Sequence, residues 1–218
     1  MMEQLDRDKV TLVKRRIWLA SIPAILFLAL IWLIFLVGQT ILNQSESMRL
    51  GIMPGQLRGL WGVFFSPLLH TSFSHLWSNS LSLFILTSFL FYFYSKIAIN
   101  AFVALWIISG MITWLIGRDA LHVGASGLVF GMLFFLFFSG ILRKYIPLVA
   151  VSLIVAFIYG GSVWSIFPVT ELVDASISWE GHLSGALAGF IMAMVYRKKG
   201  PQKPEVVWAD EEEVEDET

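Results

Sequence analysis

Cysteine is absent from the 218 residues. Disulfides, a thiol nucleophile, thiolate metal centres and iron–sulfur clusters are excluded with it. Histidine is scarce: only His70, His75, His122 and His182 occur. None lies in an H-E-x-x-H pair of the kind that seats a catalytic zinc, and no G-x-x-x-x-G-K-[ST] run exists to cradle phosphates. Charge is scarce too. Charged residues make up 14% of the chain, against roughly 25% in an ordinary soluble domain. No nucleic-acid partner is expected. The net charge of −1 carries little information, because the charges are segregated along the chain.

Apolar residues fill the space: 57% of the chain, with 9 Trp and 18 Phe, and a mean hydropathy of +0.75. A soluble core of this size does not need so much apolar surface. A polytopic membrane protein does, because its outside must be apolar as well as its inside. Six apolar segments can be marked, over about 17–41, 76–94, 97–116, 124–142, 146–167 and 182–196. Each approaches the ~20 residues a helix needs to cross a bilayer, the last being short. The first follows Lys14-Arg15-Arg16, is too long for a signal-peptide core and lacks a small-residue cleavage site, so it reads as a retained span. Alternate loops hold 12 and 3 of the Lys and Arg residues. The positive-inside rule then expects both termini in the cytoplasm. The fold class expected is an all-α, six-helix membrane bundle.

Residues 1–16 are expected as a cytoplasmic segment, 17–199 as the membrane domain and 200–218 as an acidic tail. Acids crowd 205–218 with little apolar content, a composition that predicts disorder. The loop over 43–74 is long and apolar, with Trp61, Phe64, Phe65, Leu68 and Leu69, and is expected to lie in the membrane interface as short helices. The loop over 168–181 is a candidate lid. A bacterial inner membrane is the expected location.

Polar groups inside a membrane are costly, so they mark the place to look for chemistry. His75 and Asn79 stand one helical turn apart on one face at the start of span 2. Gly124-Ala125-Ser126-Gly127 opens span 4, and Gly181-His182 opens span 6. These three spans run in the same direction, so topology alone brings their first turns to one depth. Gly127 and Gly131 on span 4, and Gly181, Gly185 and Gly189 on span 6, are spaced to let two helix backbones approach closely. A short serine side chain needs that approach to reach a histidine. Ser126 with His182 then forms a candidate nucleophile–base pair. His75, Asn79 and the backbone N–H of Ser126 are candidate donors to an oxyanion. No carboxylate lies inside a span; Glu180 and Asp119 are the nearest by sequence. His70 is read as support and His122 as a loop residue.

The ordered set His70-x4-His75-x3-Asn79, Gly124-Ala125-Ser126-Gly127 with Gly131, and Gly181-His182 with Gly185 and Gly189 resembles the rhomboid family of intramembrane serine proteases. The resemblance covers about residues 50–196. It implies a water-filled cavity, a Ser126–His182 dyad, an oxyanion hole of His75, Asn79 and the Ser126 amide, and no cofactor. Its implied substrates are transmembrane proteins cut near the outer end of a membrane-spanning segment. It also implies a mobile cap and a mobile fifth helix. Gly124, Gly127, Phe130 and Gly185 fall at supporting positions, Phe130 standing where many bacterial members carry a tyrosine that stacks on the catalytic histidine. The family's Trp-Arg pair in the first loop has only Leu57-Arg58-Gly59-Leu60-Trp61 as an analogue. The alternative is a non-catalytic relative that binds transmembrane segments. A transporter would need polar groups through the depth of the bilayer, whereas these stop near the outer third.

Overall fold

The computed structural model describes residues 1–40, 48–168 and 178–204. The expected lid falls largely, and the expected disordered tail wholly, outside the described residues. Among them the chain forms seven α-helices: α1 (Met2–Thr40), α2 (Trp61–Phe65), α3 (Phe73–Phe93), α4 (Ala98–Ile116), α5 (Ser126–Arg143), α6 (Ile146–Tyr159) and α7 (Trp179–Val195). A 3-10 segment, Gly160–Ile166, continues α6.

The first helix differs from the sequence-based boundary. It has 39 residues, about 58 Å at 1.5 Å per residue, and so outruns a hydrocarbon core of about 30 Å. It runs unbroken through the basic stretch expected to precede the span, because Lys and Arg propagate a helix well. Arg16 marks where it meets the bundle. Its Nη2 donates to the Tyr92 carbonyl at 3.1 Å, and its guanidinium lies 4.7 Å from the Tyr92 ring. The start of the α1 span is thereby tied to the end of α3, and the two run antiparallel.

Among the described residues five helices are long and apolar enough to cross a membrane, including α6 taken with its 3-10 extension. The last, α7, has 17 residues, about 26 Å. Its short length is offset by company: its interface with α5 is the most extensive in the molecule. The α5 helix sits at the centre, touching α3, α4, α6 and α7, and 61% of its residues are buried.

Glycines set the α5–α7 spacing. A Cβ on Gly185 would run into the Gly127 carbonyl and lie 2.9 Å from the Phe130 Cβ. One on Gly189 would run into the Gly131 carbonyl. The two glycine series therefore interlock along the interface, which fixes axial register as well as distance.

The first loop does form short helices: 3-10 turns over Leu57–Leu60 and Ser66–Leu68 flank α2. Trp61, Phe64 and Phe65 face outward while Gly62 and Val63 are buried. Two tryptophans of α4 hold this loop, Trp106 Nε1 donating to the Val63 carbonyl at 3.0 Å and Trp114 Nε1 to that of Gln56 at 2.9 Å.

Candidate active site

Ser126 is the first residue of α5, so its backbone N–H is among those the helix leaves unpaired at its start. Gly124 just before it has φ +113°, a conformation L-residues rarely adopt. A Cβ there would lie 2.5 Å from Cε1 and 2.6 Å from Nε2 of His75. Glycine is needed twice over, for the backbone angle and for the imidazole packed against it. The Gly124 N–H is spent on the Ser66 carbonyl at 2.9 Å, which ties the first loop to this turn.

His75 lies in the first turn of α3. Ser72 caps that helix by accepting from the His75 N–H at 3.2 Å. Thr71 Oγ1 is 3.3 Å from His75 Nδ1, so the Nε2 edge is the one turned toward Gly124 and the Ser126 turn. One helical turn on, Asn79 is buried, its Nδ2 3.2 Å from His70 Nε2. The His70 and His75 rings meet edge to face at 5.1 Å.

His182 lies in the first turn of α7 and is buried. Its ring stacks on Phe130 with centroids 4.3 Å apart and planes 11° from parallel. Ser126 and Phe130 are four residues apart, hence on one face of α5, so His182 lies over the face that carries Ser126. The levels agree too, since a Cβ on Gly127 would stand 3.3 Å from the Gly181 carbonyl. Ser126, His182, His75, Asn79 and Phe130 line one cavity of about 600 Å³. Its wall also carries Ser78, Ser82, Ser162 and Ser165. Such a wall suits water and a peptide backbone, where a lipid-facing surface would be apolar.

Neither sequence-nominated carboxylate is a hydrogen-bond partner of His182, whose Nδ1 meets Ser165 instead. Asp119 is exposed. Glu180 is buried but lies 3.5 Å from Arg118 Nε, in a pair that fastens the α4–α5 loop to the start of α7. Two residues, Ser165 and Thr71, escaped sequence reasoning, and His122, read as a loop residue, has a more definite part. Ser165, in the 3-10 segment after α6, places its Oγ 2.9 Å and its carbonyl 3.2 Å from His182 Nδ1. Thr71 touches His75. His122 is a clamp: its Nδ1 is 2.7 Å from Ser178 Oγ, and its backbone pairs with Ile52. Ser178 in turn caps α7 through the Gly181 N–H at 3.1 Å.

His70, in the loop before α3, has its pKa lowered from 6.5 to about 3 by burial, with the neighbouring His75 adding to the effect. It therefore stays neutral, and its Nε2 remains an acceptor for Asn79. An unfolded His70 takes its proton below about 6.5, whereas the folded one does so only near 3. Stability from this residue is complete above pH 6.5 and falls as the pH drops toward 3. His70→Gln, which keeps an acceptor but cannot titrate, should flatten that fall. Melting temperatures of the two proteins between pH 7 and 4 check it. Parallel curves would remove His70 from the account.

A family model described as Rhomboid domain matches residues 57–199. An uncharacterized protein of Mycobacterium tuberculosis is 37% identical over 197 residues, covering 87% of this chain and 80% of its own length. An uncharacterized protein of Mycobacterium leprae is 31% identical over 202 residues, covering 87% and 76%. The matched stretch holds every helix that lines the cavity and the whole polar constellation at the starts of α3, α5 and α7. The chain belongs to the rhomboid family.

Proposed function

We propose that the protein is an intramembrane serine endopeptidase that cuts transmembrane segments of other membrane proteins. The observation that carries the reading is the His182 ring, stacked on Phe130 one turn along the helix face from Ser126, inside a cavity walled by hydroxyls. Ser126 Oγ attacks the scissile carbonyl, and His182 Nε2 accepts the hydroxyl proton and returns it to the leaving amine. A water then attacks the acyl-enzyme by the same route in reverse. The oxyanion forms beside the Ser126 amide, the Asn79 amide group and the Nε2 edge of His75. Thr71, donating its hydroxyl proton to His75 Nδ1, leaves Nε2 as the N–H that faces the oxyanion. His70 occupies one Asn79 proton and leaves the other for the substrate.

A serine-reactive phosphonate tests this directly. Labelling of purified protein that maps to Ser126 supports it. A folded protein that neither reacts nor cleaves any transmembrane substrate would favour a non-catalytic relative that binds membrane segments.

Orientation belongs to the same proposal. Both termini lie in the cytoplasm of a bacterium and the cavity faces the far side of the inner membrane, a reading that the charge split supports. The absence of native cysteine makes this measurable. A cysteine at Asp119, exposed between α4 and α5, should react with a membrane-impermeant thiol reagent added outside the cell. One at Lys198 should react only after the membrane is opened. The reverse pattern would overturn the assignment.

A further inference from the structure

We propose that Ser165 is the positioning residue for His182, setting which imidazole nitrogen carries the proton. The inference rests on the proteolytic reading for its purpose, but its geometry stands by itself. His182 Nδ1 faces two oxygens of one residue, Ser165 Oγ at 2.9 Å and the Ser165 carbonyl at 3.2 Å. The carbonyl can only accept. The hydroxyl has a single proton, and the Ser162 carbonyl stands 2.7 Å from the same oxygen, also able only to accept. A single assignment satisfies all three oxygens. The Ser165 proton goes to the Ser162 carbonyl, and Nδ1–H is shared between the Ser165 oxygens. The other assignment, with the hydroxyl donating to a bare Nδ1, faces that lone pair against the Ser165 carbonyl and gives up the 2.7 Å bond from Ser165 Oγ to the Ser162 carbonyl.

With the proton on Nδ1, Nε2 holds a lone pair, the form a general base for Ser126 needs. In Ser-His-Asp enzymes a carboxylate fixes this tautomer. Here an uncharged serine, delivered by the 3-10 segment after α6, occupies that place at Nδ1. Phe130 fixes the plane of the ring and Ser165 its rotation within that plane.

Ser165→Thr and Ser165→Val test it as a pair, since they share a shape and differ in the hydroxyl. The Thr variant should keep kcat near wild type. The Val variant should lose about tenfold in kcat with KM unchanged, the loss being limited because the backbone carbonyl remains, on the scale of one hydrogen bond. Equal rates in the two variants would overturn the proposal, because a purely structural role would treat them alike. A second readout does not depend on activity. In protein with 15N-labelled histidine above pH 8, the His182 signal, identified by its loss in His182→Gln, should show a protonated Nδ1 and a bare Nε2. In Ser165→Val it should show a mixture. A proton on Nε2 in the wild type would sink the inference. If Ser126-dependent cleavage were absent altogether, the proteolytic reading would fall while this spectrum still decided the proton's place.

Discussion

Ser126→Ala is expected to abolish both turnover and phosphonate labelling while leaving the melting temperature unchanged. The change removes one oxygen from a side chain that faces the cavity rather than the core, and alanine starts a helix readily enough to keep α5 in place. Among the described residues the cavity hydroxyl hydrogen-bonded to His182 is that of Ser165, and it meets Nδ1 rather than the Nε2 assigned as the base. Ser78, Ser82 and Ser162 line the same cavity, but none stands one helical turn from the residue that stacks on His182. The nucleophile is a unit with its base, so the loss should be on the order of 10⁴-fold or more, as for removal of a triad member. His182→Ala should be nearly as severe. It also leaves Phe130 without its stacking partner, so it should lower stability where Ser126→Ala does not. A Ser126→Ala protein that still cleaved, in a preparation free of other proteases, would end the serine mechanism.

Much of this arrangement was legible in the sequence because membranes make polarity informative. Lipid tolerates few polar side chains, so His75, Asn79, Ser126 and His182 stood out, and the direction of each span placed them at one depth. The glycine spacing announced a close approach of two helix backbones, and the structure adds the pairing of Gly127 with Gly185 and of Gly131 with Gly189. The stack of Phe130 on His182 came from the family resemblance, in which that position carries a stacking tyrosine, and not from the residues alone. What stayed hidden comes from segments without a period. Ser165 sits in Gly160–Ile166, where a 3-10 turn rather than an α-helix decides which way each side chain points. Extending α6 as a regular helix would aim it elsewhere. Thr71 acts from a loop whose shape is set by distant contacts such as Ser66 with Gly124, and His122, placed in a loop by the sequence, shows its contacts to Ser178 and Ile52 only in the structure. The early start of α1 was missed for another reason. Charge ends a hydrophobic span but does not end a helix, and Lys and Arg continue it into water.

The last prediction separates the donors to the oxyanion. Asn79→Ala should slow turnover by roughly ten- to a hundredfold and still permit phosphonate labelling. Removing one such donor in a soluble protease costs about 2.7–4 kcal/mol, and here the Ser126 amide and His75 remain. The substitution has a second consequence. It leaves the buried His70 Nε2 without its partner at 3.2 Å, and an unsatisfied buried group costs about 1–3 kcal/mol. Stability should therefore fall along with rate, and rate alone cannot assign the residue. Two further variants divide the effects. His70→Ala removes the group that holds Asn79 but leaves its amide, so a lower kcat with unchanged KM would show that the amide must be aimed and not merely present. His75→Ala combined with Asn79→Ala should be far worse than either alone, because only the backbone N–H of Ser126 is left to meet the developing charge. Rates compared well below each protein's melting point keep unfolding out of the comparison. If Asn79→Ala lowered the melting temperature but left kcat intact, Asn79 would be a link between α3 and the His70 loop and not an oxyanion donor. His75 and the amide at the head of α5 would then carry that charge by themselves.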